Sequence, residues 1–281
     1  MTIPDTITVA HSPDSDDAFM FFALAEGLVD TEGLSFAHEL ADIETLNRRA
    51  IAAELEVTAV SFHAYAFLSD RYLLLPHGAS FGDGYGPVLV AREPGVRDAI
   101  RSAEAIVGSP GERTTAHLAL SLWAPGVRTV VRPFDEILPA VRDGELAAGL
   151  LIHEGQLTFA REGLTAVEDL GRWWKAETGL PLPLGGNVVR RDLGPERIAR
   201  ISRSLGRSIE YGLSHRERAL DHALRYARGL GRDDADRFVG MYVNRWTRGY
   251  GGPGREAVQR LLDRAHAAGL TPKVTAEYAD A

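Results

Sequence analysis

Cysteine is absent from the 281-residue chain, which removes disulfides, thiolate nucleophiles and cysteine-held metals together. No apolar run approaches the ~18 residues of a membrane span, and Met1-Thr2-Ile3-Pro4-Asp5 has no basic segment leading into an apolar one. The expectation is a soluble, cytoplasmic protein. Positive charge is in deficit: 31 Lys+Arg against 39 Asp+Glu leave −8. That balance argues against nucleic acid or an anionic membrane as the main partner. Repeats, low-complexity tracts and Pro/Gly/Ser-rich linkers are missing. So are the dinucleotide and phosphate-loop glycine patterns, the Ser-His-Asp signatures and histidines paired at metal spacing.

What is present is an ordinary folding composition, 45% hydrophobic and 25% charged. At ~150 residues per domain the length suggests about two domains. Short apolar or β-branched runs at Thr6–Ala10, Leu34–Leu40, Val57–Val60, Pro87–Ala91, Ala105–Gly108, Thr129–Arg132 and Ala147–Ile152 alternate with helical periodicity. This is the pattern of an α/β protein with largely parallel sheets. Asp42 precedes Ile43, Leu46 and Ala50 at helical spacing and reads as an N-cap; Thr114 and Thr115 do so before Leu118. From Pro195 to Tyr226 and from Asp233 to Ala268 the spacing is helical throughout. The turns Gly82–Pro87 and Gly179–Asn187 are the candidate crossings between lobes, which makes the first domain discontinuous.

Chemistry-bearing residues gather at the predicted strand ends, where open α/β sheets bind ligands. His11-Ser12-Pro13-Asp14-Ser15-Asp16-Asp17 follows the first strand and leads into a helix at Ala18-Phe19. The three acids serve a helix N-terminus or a ligand, and their spacing fits no calcium loop. Ser61 in Ser61-Phe62-His63-Ala64-Tyr65 is an N-cap or a ligand hydroxyl. Gly111-Glu112-Arg113-Thr114-Thr115-Ala116 offers backbone N–H groups and two hydroxyls at a helix start, suited to a carboxylate or a sugar hydroxyl. His153-Glu154 brings an imidazole and a carboxylate to the tip of a buried strand, a place for proton transfer or for a structural histidine. His11, His38 and His77 show no partner in sequence, and His215, His222 and His266 lie on helices that read as surface-facing. Trp173-Trp174 is core, interface or an aromatic wall.

In combination these motifs resemble the 1,4-dihydroxy-6-naphthoate synthase family of the futalosine route to menaquinone. The likeness is carried by Ser12-Pro13 with Asp17 and Phe19, Asp42 to Arg48, Val60 to Tyr65, Gly111 to Ala116, Ile137-Leu138-Pro139 and Leu151 to Glu154. It continues through Gly171 to Trp174, Thr178 to Gly185, Arg190 to Gly194 and Tyr242-Val243-Asn244. The resemblance implies a two-lobed, type 2 periplasmic-binding-protein-like fold, each lobe a mixed, mostly parallel sheet flanked by helices. Residues 1–90 and 186–281 would form the lobe with both termini, residues 91–185 the inserted one, with substrate between them. It implies conversion of cyclic de-hypoxanthine futalosine to 1,4-dihydroxy-6-naphthoate, without metal or organic cofactor, by a monomer or homodimer. His153 takes the place of the family's catalytic histidine. Substrate contacts fall on Ala59, Val60, Ser61, Thr114, Thr115 and Ala116, with Ser12 and Asp17 from the first motif. Two departures stand out: typical members continue the first motif as Ser-Pro-Cys-Pro-Asn-Asp-Thr, and many carry Lys where this chain has Ala59. The competing expectations are a non-catalytic binder of a small carboxylate and the sibling chorismate dehydratase.

Overall fold

Ile7 and Val9 are buried in the first strand while Thr6 is exposed, the alternation that seats a strand on a core. The computed structural model describes residues 5–227 and 229–279. Strand β1 (Asp5–His11) leads to α1 (Ser15–Ala25), β2 (Leu34–Leu40), α2 (Ile43–Ile51), β3 (Val57–Ser61) and the one-turn α3 (Phe62–Tyr65). Two short strands follow, β4 (Tyr72–Leu74) and β5 (Ser80–Gly82). Next come β6 (Val88–Ala91), α4 (Arg97–Arg101), β7 (Ile106–Ser109), α5 (Thr115–Trp123), β8 (Arg128–Val131) and α6 (Phe134–Arg142). Then β9 (Ala148–Leu151), α7 (Gly155–Thr158), β10 (Thr165–Asp169), α8 (Leu170–Thr178) and β11 (Leu182–Arg190) complete the sheets. Helices α9 (Pro195–Ser214), α10 (Arg216–Ala223), α11 (Arg232–Tyr242), α12 (Arg245–Arg248) and α13 (Gly251–Ala267) make the C-terminal third helical, as its spacing predicts.

The first sheet runs β2-β1-β3-β11-β4, with β5 also paired to β11; the second runs β10-β6-β9-β7-β8. Both are mixed. Parallel pairing joins β2, β1 and β3 in one and β9, β7 and β8 in the other, while β11 and β6 make only antiparallel pairs. All seven expected strands are present. The chain crosses between sheets at 83–87 and again between the end of β10 and the start of β11. The boundaries expected at 90/91 and 185/186 therefore cut through β6 and β11, each of which belongs whole to one sheet.

The Gly179–Asn187 segment is a correction: from Leu182 onward it is strand, in the interior of the first sheet. Pro183, Gly185 and Gly186 are poor strand formers and hide it. They are accommodated because Pro183 pairs only with the short β5, and the register slips between Pro183 and Gly185 before the long pairing with β3 begins. Strand β10 escapes notice for another reason: Thr165 and Ala166 are exposed at a sheet edge, so its apolar alternation is weak.

Helix α1 is buried from Asp17 to Leu24, wedged among α9, α10 and α11. A helix apolar all round must be covered all round, and these C-terminal helices supply the cover. A second core continues across both sheets, joining Val60, Phe62 and Leu74 to Leu89, Val107 and Leu150 through α5, Trp174 and α13. Trp174 is therefore core, fully buried with its indole N–H donated to the Pro181 carbonyl at 3.1 Å. Among the described residues no helix is long and apolar enough to cross a membrane.

Candidate active site

The ends of β1, β3 and β9 and the loop after β7 open onto one cleft, with β11 alongside. The cleft is open to solvent and, counted with the solvent at its mouth, spans about 800 Å³, room for a small molecule. Ser12, Asp17, Ala59, Val60, Ser61, Thr114, Thr115, Ala116 and His153 all line it. The nine residues to which the resemblance gives catalysis or substrate contact therefore face one cleft. The structure adds Asp14, Asp16, Gln156, Asn187 and Tyr242. Asn187 stood inside the segment read as a turn, Tyr242 had been noted only as part of a motif, and Gln156 follows the His153-Glu154 pair by two residues.

On one wall the groups are acidic. Helix α1 starts at Ser15, three residues before the expected Ala18, which carries Asp16 and Asp17 into its first turn. Asp14 is the N-cap residue by position but makes no side-chain cap bond. Its carboxylate turns away instead: Oδ2 lies 2.8 Å from Nδ1 of His153 and accepts the Ser12 hydroxyl. Asp17 Oδ2 accepts the Ser12 backbone N–H at 2.8 Å. Asp14 is thus a carboxylate partner of His153, while Glu154, next in the chain, is buried outside the cleft lining. His153 sits at φ +69°, a left-handed conformation that costs about 1–3 kcal/mol for a residue with a β-carbon. Its ring meets Phe134 edge-on, centroids 4.4 Å apart.

Burial and the charge of Asp14 push the Asp17 carboxyl up to about 7, against the Ser12 N–H bond that favours its ionised form. Burial, then Asp17 and Asp14, push Asp16 well above the carboxylate range. Among the described residues no Lys or Arg lines the cleft to relieve them. Among the described residues no group of three His, Asp or Glu side chains is placed to hold a metal ion.

The opposite wall is neutral and its hydrogen bonds are made. Thr114 caps α5, its Oγ1 accepting the His117 N–H at 3.1 Å and donating to the Gly111 carbonyl at 2.8 Å. Thr115 is not a cap; its hydroxyl donates to the Leu184 carbonyl at 2.6 Å. Both hydroxyl protons are committed within the protein. The donors left to face the cleft are the backbone N–H groups of Thr115 and Ala116, which as first-turn amides have no intrahelical acceptor. Ser61 precedes α3 without a side-chain cap bond. Its N–H donates to Asn47 Oδ1 at 2.9 Å, and the Asn47 amide donates to Ser61 Oγ and to the Arg113 carbonyl, each at 3.3 Å.

The Asp42–Arg48 motif is thereby explained. Asp42 caps α2, accepting the Thr45 N–H at 3.0 Å, and the helix it starts presents Glu44 and Asn47 to the loop before α5. Glu44 accepts the Arg113 N–H at 3.0 Å. Gly111 is required there, since a β-carbon at that residue would lie 2.4 Å from Glu44 Oε2. Helix α2 of the first sheet therefore grips the α5 entry of the second.

The other histidines lie outside the cleft lining, with one correction to their expected placement. His11 and His38 are partners, Nε2 to Nδ1 at 3.2 Å, and burial pushes His11 down to about 4. His63 lies behind the cleft, Nδ1 3.3 Å from the Thr114 carbonyl. His222 was expected on a surface face and is buried, because α10 packs that face on α1 beside Phe22.

A family profile described as menaquinone biosynthesis matches residues 7–267. A Thermus thermophilus protein named 1,4-dihydroxy-6-naphthoate synthase is 42% identical over 267 residues, covering 95% of this chain and 96% of that one. A Streptomyces coelicolor protein of the same name is 38% identical over 274 residues, with 95% of each chain covered. A crystal structure of an Archaeoglobus fulgidus protein superposes with TM-score 0.90 at 47% identity, over 95% of this chain and 98% of the other. The alkanesulfonate-binding protein of Xanthomonas axonopodis, bound to MOPS, superposes with TM-score 0.70 at 10% identity over 98% of both chains, a likeness of fold alone. The architecture is that of the periplasmic binding proteins, and the chain belongs to the menaquinone biosynthesis family.

Proposed function

We propose that this protein is a 1,4-dihydroxy-6-naphthoate synthase, a cytoplasmic lyase that splits cyclic de-hypoxanthine futalosine into 1,4-dihydroxy-6-naphthoate and a sugar-derived fragment. Near-full-length identity of 42% to a protein of that name supports the reaction. The observation that carries it to a mechanism is the cleft itself, where an imidazole meets a buried carboxylate opposite a wall of neutral donors. His153 is the general base. Removing a proton beside a carbonyl starts the release of the ring, and aromatisation drives it. Thr115, Ala116 and Ser61 hold the carboxylate and polar groups of the substrate, with Ala59, Val60, Ser12, Asp17 and Thr114 as further contacts. The two sheets act as the centres of two lobes that close over the substrate and exclude water.

The test is incubation of the purified protein with cyclic de-hypoxanthine futalosine, following naphthoate release by chromatography, with His153→Ala alongside. Product from the wild type and a loss of about 10²–10⁴-fold in the variant are expected. A folded wild-type protein that binds the compound without releasing naphthoate would make it a binding protein instead.

A further inference from the structure

We propose that Asp14 is the positioning residue for His153: it holds the imidazole in the Nδ1–H tautomer, so that the lone pair on Nε2 is the base. The assignment of His153 as base rests on the function proposed above; the pairing itself rests on geometry. The Nδ1–Oδ2 distance of 2.8 Å is that of a charge-assisted hydrogen bond. Asp14 is 3% exposed, and its Oδ2 is also fixed by the Ser12 hydroxyl. Ser12 is anchored in turn through its N–H to Asp17. The carboxylate is thus held from behind and presents one oxygen to the ring.

The backbone at His153 supports the same reading. Holding a histidine at φ +69° is unfavourable, and a residue kept in such a conformation is over-determined by its surroundings. Here the Asp14 bond and the edge-on Phe134 ring fix the imidazole on two sides. A base held by a buried carboxylate through its far nitrogen is kept out of the wrong tautomer, and the carboxylate stabilises the imidazolium formed when the proton arrives. The other ionisable groups around the ring are Asp16 and Asp17 on α1, Glu154 next in the chain and Tyr242 on α11. Of these, Asp16 also favours the charged ring, so the test must isolate Asp14.

The experiment is nitrogen-15 NMR of histidine-labelled protein, with the His153 signals assigned by their loss in His153→Gln, across pH in wild type, Asp14→Asn and Asp16→Asn. Expected are an Nδ1–H tautomer in the wild type, a mixed tautomer and a lower ring pKa in Asp14→Asn, and a retained tautomer in Asp16→Asn. In turnover, Asp14→Asn should lower kcat about 10²-fold or more with KM nearly unchanged, and Asp14→Glu should recover part of it. An Nε2–H tautomer in the wild type overturns the proposal, even if Asp14→Asn does not fold. So does a folded Asp14→Asn protein with unaltered tautomer and titration. If those signals change as expected and even the wild type releases no naphthoate, the pairing stands and the reaction assigned to the cleft fails.

Discussion

The two walls of the cleft are built on opposite terms. The wall from β1, α1 and β9 collects Asp14, Asp16, Asp17 and a histidine in a strained backbone, with carboxyls held far from their ordinary titration. The wall from β3, α2 and α5 is neutral, and its side chains bond to one another and to the backbone. One wall lowers the stability of the fold and the other raises it. Clustered unfavourable features of this kind mark the place where chemistry is done, and satisfied ones the place where a substrate is held.

The comparison is broken most severely by damaging the neutral wall. Asn47 is fully buried and bonds to Ser61 twice and to the Arg113 carbonyl, so Asn47→Leu strands the buried Ser61 N–H and frees the part-buried Arg113 carbonyl. The expected cost is about 2–4 kcal/mol, read as a fall in the urea midpoint with an unchanged slope. A smaller loss follows from Thr115→Val, which removes the bond to Leu184 with little change of volume. It should cost about 1–2 kcal/mol. KM should rise more than kcat falls, because the first-turn amides of α5 lose their anchorage to β11. A change in kcat alone would place Thr115 on the chemical wall.

The neutral wall was also the more legible one in the sequence. Capping residues, strand ends and glycine turns are local patterns, so Thr114 as a cap, Asp42 as a cap and the strand before Ser61 could be read from their own neighbours. His153 came by its place after a buried strand and by resemblance. Its true partner did not, because the contact between the first loop and the end of β9 is made only when two distant strands lie on facing edges of a cleft. Asp14 and Asp16 were visible as an acidic cluster, but a charge cluster alone does not say whether it faces water or a histidine. Strand β11 was hidden by its own proline and glycines, and with it Asn187 and the Leu184 carbonyl that Thr115 needs.

The acidic wall gives the smallest effect and one that changes with pH. An Asp17 carboxyl raised to about 7 binds a proton in the folded state that the unfolded chain, with its ordinary value of 3.8, releases. Its presence is harmless below about pH 4, where both states are protonated, and increasingly destabilising as pH rises through 7. Buried His11, His63 and His77 run the other way: each is lowered from 6.5 to about 4, so their contribution is complete above 6.5 and is lost as pH falls toward 4. With three histidines set against one carboxyl, stability should rise from about pH 4 and level off near 7, the Asp17 carboxyl blunting the rise. Asp17→Asn keeps an oxygen for the Ser12 N–H and abolishes the titration. It should raise Tm by several degrees at pH 8, about 1–2 kcal/mol at ~2–4 °C each, leave it unchanged near pH 4, and steepen the rise between them. Melting curves across pH 4–9 decide it: an equal gain at every pH would mean that the carboxyl is not raised, and that the acidic wall is no less comfortable than the neutral one.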